Sequence, residues 1–387
     1  MSGPRAHRDV VVVGGGVTGC GIARKLALDH SVTVVEKGQI AGEASGFSAG
    51  LITPTLFHDD LPDVARHISE FFREFDGTGQ FSFTERPRLE LIVPEQEDRA
   101  RELVTQIRSN DLPVSFLEPE TVDAEYPWFD MDRFVGAIEI ADAGWIDPYS
   151  YTIALKEAAE DRSVDFQTNV SVQDVLIEDG AAVGIETETG EIWADEVVVA
   201  AGWRTREFLA DTLPVPVRPY RLQCVTIDPG FDLPDDYPVT RVSSKELYMR
   251  PEHNGDLLVG GGEYLESDPR RVTTGIDATE EFKLHVADVV PSVVDALSTA
   301  ELVNGWAGVD GCTPDSRPII DAPSEGPDCL YVATGFTGLG MVNSPVAPTL
   351  VRSLITGEST PFQTEPFALD RFETRNDDFQ LTPNARL

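Results

Sequence analysis

Three glycines, Gly14, Gly16 and Gly19, stand directly after the apolar run 10–13, which reads VVVV. Such a β-branched run suits a strand buried on both faces of a parallel sheet. GxGxxG after it suits the turn into a helix whose free N–H groups receive a pyrophosphate. Gly14 permits the tight turn, Gly16 lets backbone approach the phosphates, and Gly19 lets helix and strand pack closely. Val17 and Thr18 open that helix. A second apolar run, 32–35, ends in Glu36, with Lys37 beside it. The Glu36 carboxylate can accept both ribose hydroxyls of an adenosine and would repel a 2′-phosphate. Strand, glycines, helix, second strand and terminal acid together predict a bound dinucleotide.

Three further segments favour FAD over NAD. The small-residue loop 42–50 is long enough to wrap the middle of an extended dinucleotide, and offers Ser45, Ser48, Ala49 and Gly50 to it. The run 196–202 reads as another buried strand ending in Ala201 and Gly202, with Trp203 next; Val170 joins this group of cofactor candidates. The run 330–335 ends at Gly335 and passes through Thr337, Gly338, Leu339 and Gly340 into an apolar helix near Met341. That arrangement offers backbone N–H groups to the pyrimidine edge of a flavin.

On the substrate side, an extended segment 246–250 would point Tyr248 and Arg250 to one face and Met249 to the other. The guanidinium could clamp a carboxylate and the phenol could bond the same group or an amine. The competing reading of Arg250 is a structural ion pair. No metal site is expected: the six histidines show no HxH or HExxH spacing, and the four cysteines form no CxxC pair.

These pieces are shared with a known group. VVVVGGGVTGCGIARKLA with Glu36, GEASGFSAGLI, WIDPYSYTIAL, DEVVVAAGW, LYMRPEHNGDLLVGGG, GCTPDSRPIID and YVATGFTGLGMVNSP follow one another along the chain. In this the sequence resembles the D-amino acid oxidase, glycine oxidase and sarcosine oxidase superfamily. The resemblance implies an α/β fold in which a Rossmann-like FAD-binding domain (1–80, 148–215 and 300–375) is interleaved with an α+β substrate domain on a mixed sheet (81–147 and 216–299). A polar tail, 376–387, follows.

The resemblance also implies a chemistry: hydride transfer from the α C–H of a small amine or amino acid to flavin N5, leaving an imine that hydrolyses. Tyr248 matches a pocket-lining tyrosine of glycine oxidases, and Gly308 begins a segment expected beneath the flavin ring. Asp310 stands where relatives usually carry a carboxylate-binding arginine, which removes an anion site and supplies an acceptor for a cation; its competing role is an Asx-turn acid. Phe47 occupies the place of a flavin-linking histidine, and Cys312 is offset from the place of a linking cysteine, so non-covalent FAD is expected. Leu258 aligns with a lysine that speeds reaction with oxygen, which favours a dehydrogenase using a quinone or electron-transfer protein. A 2-hydroxy-acid dehydrogenase and a flavin-binding subunit without independent turnover are the alternatives.

The elements that must position these groups can also be anticipated. Asp147 and Pro148 suit the start of a helix over 149–160, 213–219 reads as a stiff crossover, and 88–93, 221–227 and 255–261 read as strands of the second sheet. With 67 acidic against 30 basic residues, the net charge of −37 argues against nucleic acid and anionic membranes. It suits solvation in a salty cytoplasm, as in a halophilic archaeon, with steering of cationic substrates as the other reading. No apolar run approaches the roughly 20 residues of a membrane span, so a cytoplasmic location is expected.

Overall fold

The computed structural model describes residues 7–266 and 272–380, the side chain of residue 7 excepted. Val10, Val11 and Val12 are wholly buried, as an uninterrupted apolar run requires. Their strand, His7–Val13, pairs in parallel with Val32–Glu36 on one side and Gly190–Val199 on the other. Asp165–Thr168 and Leu330–Thr334 extend this parallel layer at its two ends. Ile319–Asp321 and the hairpin Val172–Glu178 with Ala181–Thr187 add antiparallel strands.

Alternation along the central strand divides the packing. Val10 and Val12 join a core with Ile22 and Leu26 of helix Val17–Leu26, Leu155 of Pro148–Glu160, and Leu350 of Val346–Thr356. Val11 and Val13 face a second core with Val197, Val199, Leu209 and Val215. Gly19 sits where helix meets strand: a Cβ there would lie 1.9 Å from the Gly14 carbonyl oxygen, so only glycine permits this approach. The helix expected over 149–160 begins one residue earlier, with Pro148 in its first turn and the Asp147 carboxylate accepting the Ser150 N–H at 2.7 Å.

The second sheet has eight strands. Across it run Glu301–Cys312, Arg218–Asp228, Leu257–Leu265, Leu247–Pro251, Val239–Val242, Arg88–Ile92, Gly136–Ile140 and Val114–Leu117. Only the pairing of Val239–Val242 with Arg88–Ile92 is parallel. Strands thus occur at all three segments read as strands of this sheet. One face carries Leu89, Leu91, Val225, Leu247, Met249 and Val259 onto helix Glu280–Val289; the other looks toward the parallel sheet. Strand Glu301–Cys312, which the sequence reading grouped with the cofactor domain, pairs along its length with Arg218–Asp228 in this second sheet.

Of the expected polar tail, 381–387 lie outside the described residues, as do 1–6. Within the remainder, Arg206 pairs with Asp377 and Arg218 donates to the Phe379 carbonyl. Among the described residues no helix is long and apolar enough to cross a membrane, and no group of side chains could hold a metal ion.

A buried charge cluster lies in the face turned toward the parallel sheet. Arg88 and Glu90, 1% and 2% exposed, sit two residues apart on one strand and therefore on one face. Both Nε and Nη2 of Arg88 donate to Glu90 Oε1, and the Ser243 hydroxyl donates to Glu90 Oε2 at 2.6 Å. Burial alone would raise the Glu90 carboxyl; the charges of Arg88 and Arg241 outweigh it and hold the group below its ordinary range. Glu90→Leu would strand the Arg88 charge, so it should cost about 3–5 kcal/mol. Equilibrium urea unfolding at fixed salt measures the loss, and a change under about 1 kcal/mol would show that the pair does not hold the sheet.

Candidate cofactor and substrate site

A single elongated cavity of about 610 Å³ runs from the C-terminal end of the parallel strands to the charged face of the second sheet. That volume lies within the range of ordinary ligand sites. At one end stands Glu36. Its Oε2 accepts the Gly15 N–H at 2.7 Å and its Oε1 accepts the Gly38 N–H at 2.8 Å, so the carboxylate is fixed in direction while each oxygen keeps a free lone pair. Beside it Glu43 pairs with Lys37 and Arg204. Burial pushes the Glu43 carboxyl up, but these two cations leave it below its usual range.

In the middle, helix Val17–Leu26 presents its N-terminus with no acidic residue in its first turn, and Ser45 Oγ accepts the Val17 N–H at 2.9 Å. This is the electrostatic setting of a phosphate site. A fixed acceptor, an unopposed helix N-terminus and an elongated cleft together fit an FAD.

Most of the cofactor candidates line this cavity: Gly14, Gly16, Val17, Thr18, Glu36, Lys37, Ser45, Ser48, Ala49, Ala201, Gly202, Trp203, Gly308, Thr337, Gly338, Leu339, Gly340 and Met341. Gly19, Gly50, Val170 and Gly335 do not. Gly19 serves the helix–strand contact, Gly50 packs against the Ile146 carbonyl, Gly335 lies against Thr313, and Val170 donates its N–H to the Glu36 carbonyl at 3.0 Å. Phe47, which stands at the place of a flavin-linking histidine, lines the cavity as well, and so do Glu43 and Arg204, which the sequence did not single out. Glu43 and Arg204 are 161 residues apart, and no local pattern joins them.

At the far end the second sheet forms the floor. Tyr248 lines the cavity and Met249 points to the opposite core, as an extended segment demands. Its ring lies across Gly260, where an added Cβ would sit 2.2 Å from the phenol oxygen, and reaches Cys224 Sγ at 3.7 Å. Burial pushes the Tyr248 phenol well above its usual range and the Cys224 thiol up to about 11. Both groups stay protonated near neutrality, so they bind and orient.

Arg250 shares the face of Tyr248 but does not line the cavity. Its Nε donates to the Ala49 carbonyl at 2.6 Å, Nη1 donates to the Pro251 carbonyl at 2.8 Å, and Nη2 pairs with Glu252 at 3.0 Å. The guanidinium also lies 4.8 Å from the Trp145 ring centre. This arginine fastens the sheet to the 42–50 loop. Asp310 does line the cavity. Its Oδ1 accepts the Gly311 N–H and its Oδ2 accepts the Gly338 N–H, each at 2.7 Å, while burial raises the carboxyl to about 6 against those two bonds. The first bond is to the next residue of the same strand, not the contact two residues on that an Asx-turn makes, and the second holds the 337–338 turn.

At this end of the cavity Arg241, which the sequence did not single out, lines the wall together with Arg88. Strand pairing sets Arg241 opposite both Tyr248 and Glu90. Its side chain is 16% exposed, its Nε lies 3.7 Å from Glu90 Oε2, and it makes no hydrogen bond to a described residue. Glu246 and Glu263 also line this end and open to solvent. Only the cross-strand register brings these three together.

The chain is 28% identical over 380 residues to a glycine oxidase of Geobacillus kaustophilus, covering 94% of this chain and 97% of that protein. It is 27% identical over 371 residues to the mitochondrial dimethylglycine dehydrogenase of Rattus norvegicus, covering 87% of this chain but spanning only 41% of that longer protein. Among solved structures, L-proline dehydrogenase from P. horikoshii is similar at a TM-score of 0.87 and 25% identity, covering 95% of this chain and 98% of that one. Glycine oxidase from Geobacillus kaustophilus gives 0.81 at 23% identity, with 95% of this chain and 100% of that one covered. The family model described as FAD dependent oxidoreductase matches residues 9–352, and the chain therefore belongs to this DAO family of FAD-dependent oxidoreductases.

Proposed function

We propose that the chain oxidises a carboxylated amine or amino acid with non-covalently bound FAD. The observation that carries this reading is Arg241, a largely enclosed guanidinium whose donors are unused among the described residues, at the end of a cavity that begins at Glu36. An enclosed cation with free donors is costly unless a ligand completes it. Its planar fork matches a carboxylate. Arg241 thus takes the clamping role that the sequence suggested for Arg250.

In this reading Glu36 would hold the adenosine ribose, Ser45 and the start of helix Val17–Leu26 the pyrophosphate, and the turn 337–341 the pyrimidine edge. Bound FAD supplies a hydride acceptor at N5, and loss of hydride from the α C–H leaves an imine that water hydrolyses. Tyr248 donates its hydroxyl proton toward the substrate and, lying flat over Gly260, fixes one wall of the pocket. Asp310 keeps the 337–338 turn in register beside the second sheet. Positioning of this kind can supply much of a rate without a side-chain base. No histidine among the described residues lines the cavity to take a hydroxyl proton, which disfavours the 2-hydroxy-acid alternative.

Dissociable FAD is supported by Phe47 in the cavity wall and by Cys312, which is buried outside it. Electron transfer to an acceptor other than oxygen is supported by Leu258, 1% exposed, and by a cavity whose only described lysine, Lys37, lies beside Glu36 at the opposite end.

Acid or heat should release the flavin from purified protein into the supernatant; flavin retained by the precipitate would mean a covalent link. Anaerobic bleaching of the flavin by amino acids is the test of the chemistry itself. Arg241→Met should raise the KM of a carboxylated substrate by about 1.5–3 kcal/mol more than that of its decarboxylated analogue. Arg250→Met should move both together, and equal shifts in Arg241→Met would remove the clamp. In stopped-flow reoxidation an artificial quinone should outpace air-saturated buffer. Oxygen reoxidation faster than turnover, with stoichiometric peroxide, would make the enzyme an oxidase.

A further inference from the structure

Gly260, Gly261 and Gly262 follow one another in strand Leu257–Leu265, and they are there for different reasons. Gly261 and Gly262 hold φ 152° and 57°, a backbone that favours glycine. Gly260 has no positive φ, and a glycine inside a paired strand weakens it. What excludes a side chain at 260 is Tyr248: an added Cβ would overlap Cε2, Cζ and Oη of its ring. The ring lies on Gly260 and hides it, so Gly261 and Gly262 line the cavity and Gly260 does not.

Register shows what this leaves open. Cys224, Gly260, Tyr248, Arg241 and Glu90 stand opposite one another on adjacent strands, one row across the floor. Neighbours in such a row are about 5 Å apart. The tyrosine bends along the row, away from Arg241: it crosses Gly260, and its hydroxyl reaches Cys224 Sγ at 3.7 Å. Phe57, whose ring centre is 5.9 Å from the Arg88 guanidinium, lines the cavity at the cation end, and Leu222 lines it on the strand of Cys224.

A substrate carboxylate on Arg241 would put the α-carbon over the neighbouring ring. Because that ring lies flat, groups carried by the α-carbon or the amine would rest on an aromatic face between Phe57 and Leu222. A tyrosine pushed upright by a methyl group at 260 would fill the same space.

Building on the proposed function, we infer that Gly260 is a specificity-determining residue: by letting the Tyr248 ring lie flat it keeps room beside Arg241, so the substrate class is an amino acid substituted, on the α-carbon or the nitrogen, by an apolar group larger than methyl.

The test compares glycine and sarcosine with leucine and proline, the last two in both hands, on holoenzyme in concentrated KCl. Calorimetry on dithionite-reduced protein reports binding without turnover, and anaerobic flavin bleaching reports reaction. Leucine or proline of the better hand should bind at least about tenfold tighter than glycine, the gain from burying roughly two methylene groups. Gly260→Ala should collapse that ratio while flavin content holds. Adding Tyr248→Leu, a side chain too short to meet the new methyl, should restore it. If Gly260→Ala alone does not fold, Tyr248→Trp serves instead, because an indole too long for the gap to Cys224 must tilt into the cavity and collapse the ratio likewise. An aromatic laid over a glycine also steadies a sheet, but that role alone would weaken all the compounds together and leave the ratio unchanged. Equal binding of small and large compounds by the native protein overturns the proposal, as does a ratio that survives these variants or fails to return with Tyr248→Leu. Size-selective binding with no bleaching by any compound keeps the role of Gly260 and removes amine oxidation. Bleaching by glycine as fast as by the larger compounds, with equal binding, removes that role and keeps amine oxidation. Neither binding nor bleaching removes both.

Discussion

One buried carboxylate, Glu90, organises the charged floor of this protein. Enclosing a carboxylate and a guanidinium costs several kcal/mol per ion unless their remaining polar atoms are bonded. Glu90 meets that condition by giving one oxygen to Arg88 and the other to Ser243. It thereby joins strand Arg88–Ile92 to strand Val239–Val242, through Arg241, and to the turn after that strand, through Ser243. Its hold on Arg241 is longer, 3.7 Å, and leaves that fork open toward the cavity. The same acid that neutralises Arg88 thus sets the one floor cation with donors to offer.

The cofactor end was legible in the sequence because its determinants are local. A β-branched run, glycines at fixed offsets and an acid at the end of the next strand define the strand–turn–helix unit within 30 residues, and the structure places each where that unit requires. Helix Pro148–Glu160 was legible for the same reason: its cap and first-turn proline are adjacent. Alternation also told correctly that Tyr248 and Met249 face apart.

The substrate end was not legible, because register decides it. Alternation put Arg250 on the face of Tyr248 but could not say that Ala49 and Trp145, from distant segments, would cover it. Arg241, Glu246 and Glu263 lie at a strand middle, a turn and a bulge, and no spacing announces that they meet. The pairing of Glu301–Cys312 with Arg218–Asp228 was hidden for the same reason, since the two segments lie about 80 residues apart and only the sheet register joins them.

That strand ties the two sheets mechanically. From exposed Leu302 and Val303 it runs along Arg218–Asp228, and at its end Asp310 and Gly311 are stitched to Gly338 and Thr337 on the turn that follows the parallel strand Leu330–Thr334. It acts as a shared beam rather than a hinge. Swinging the sheets apart to admit a ligand would tear those bonds inside a low-dielectric space, where each unmade bond is expensive. Side-chain movement at the rim is the cheaper gate, and the rim is where Glu246 and Glu263 stand.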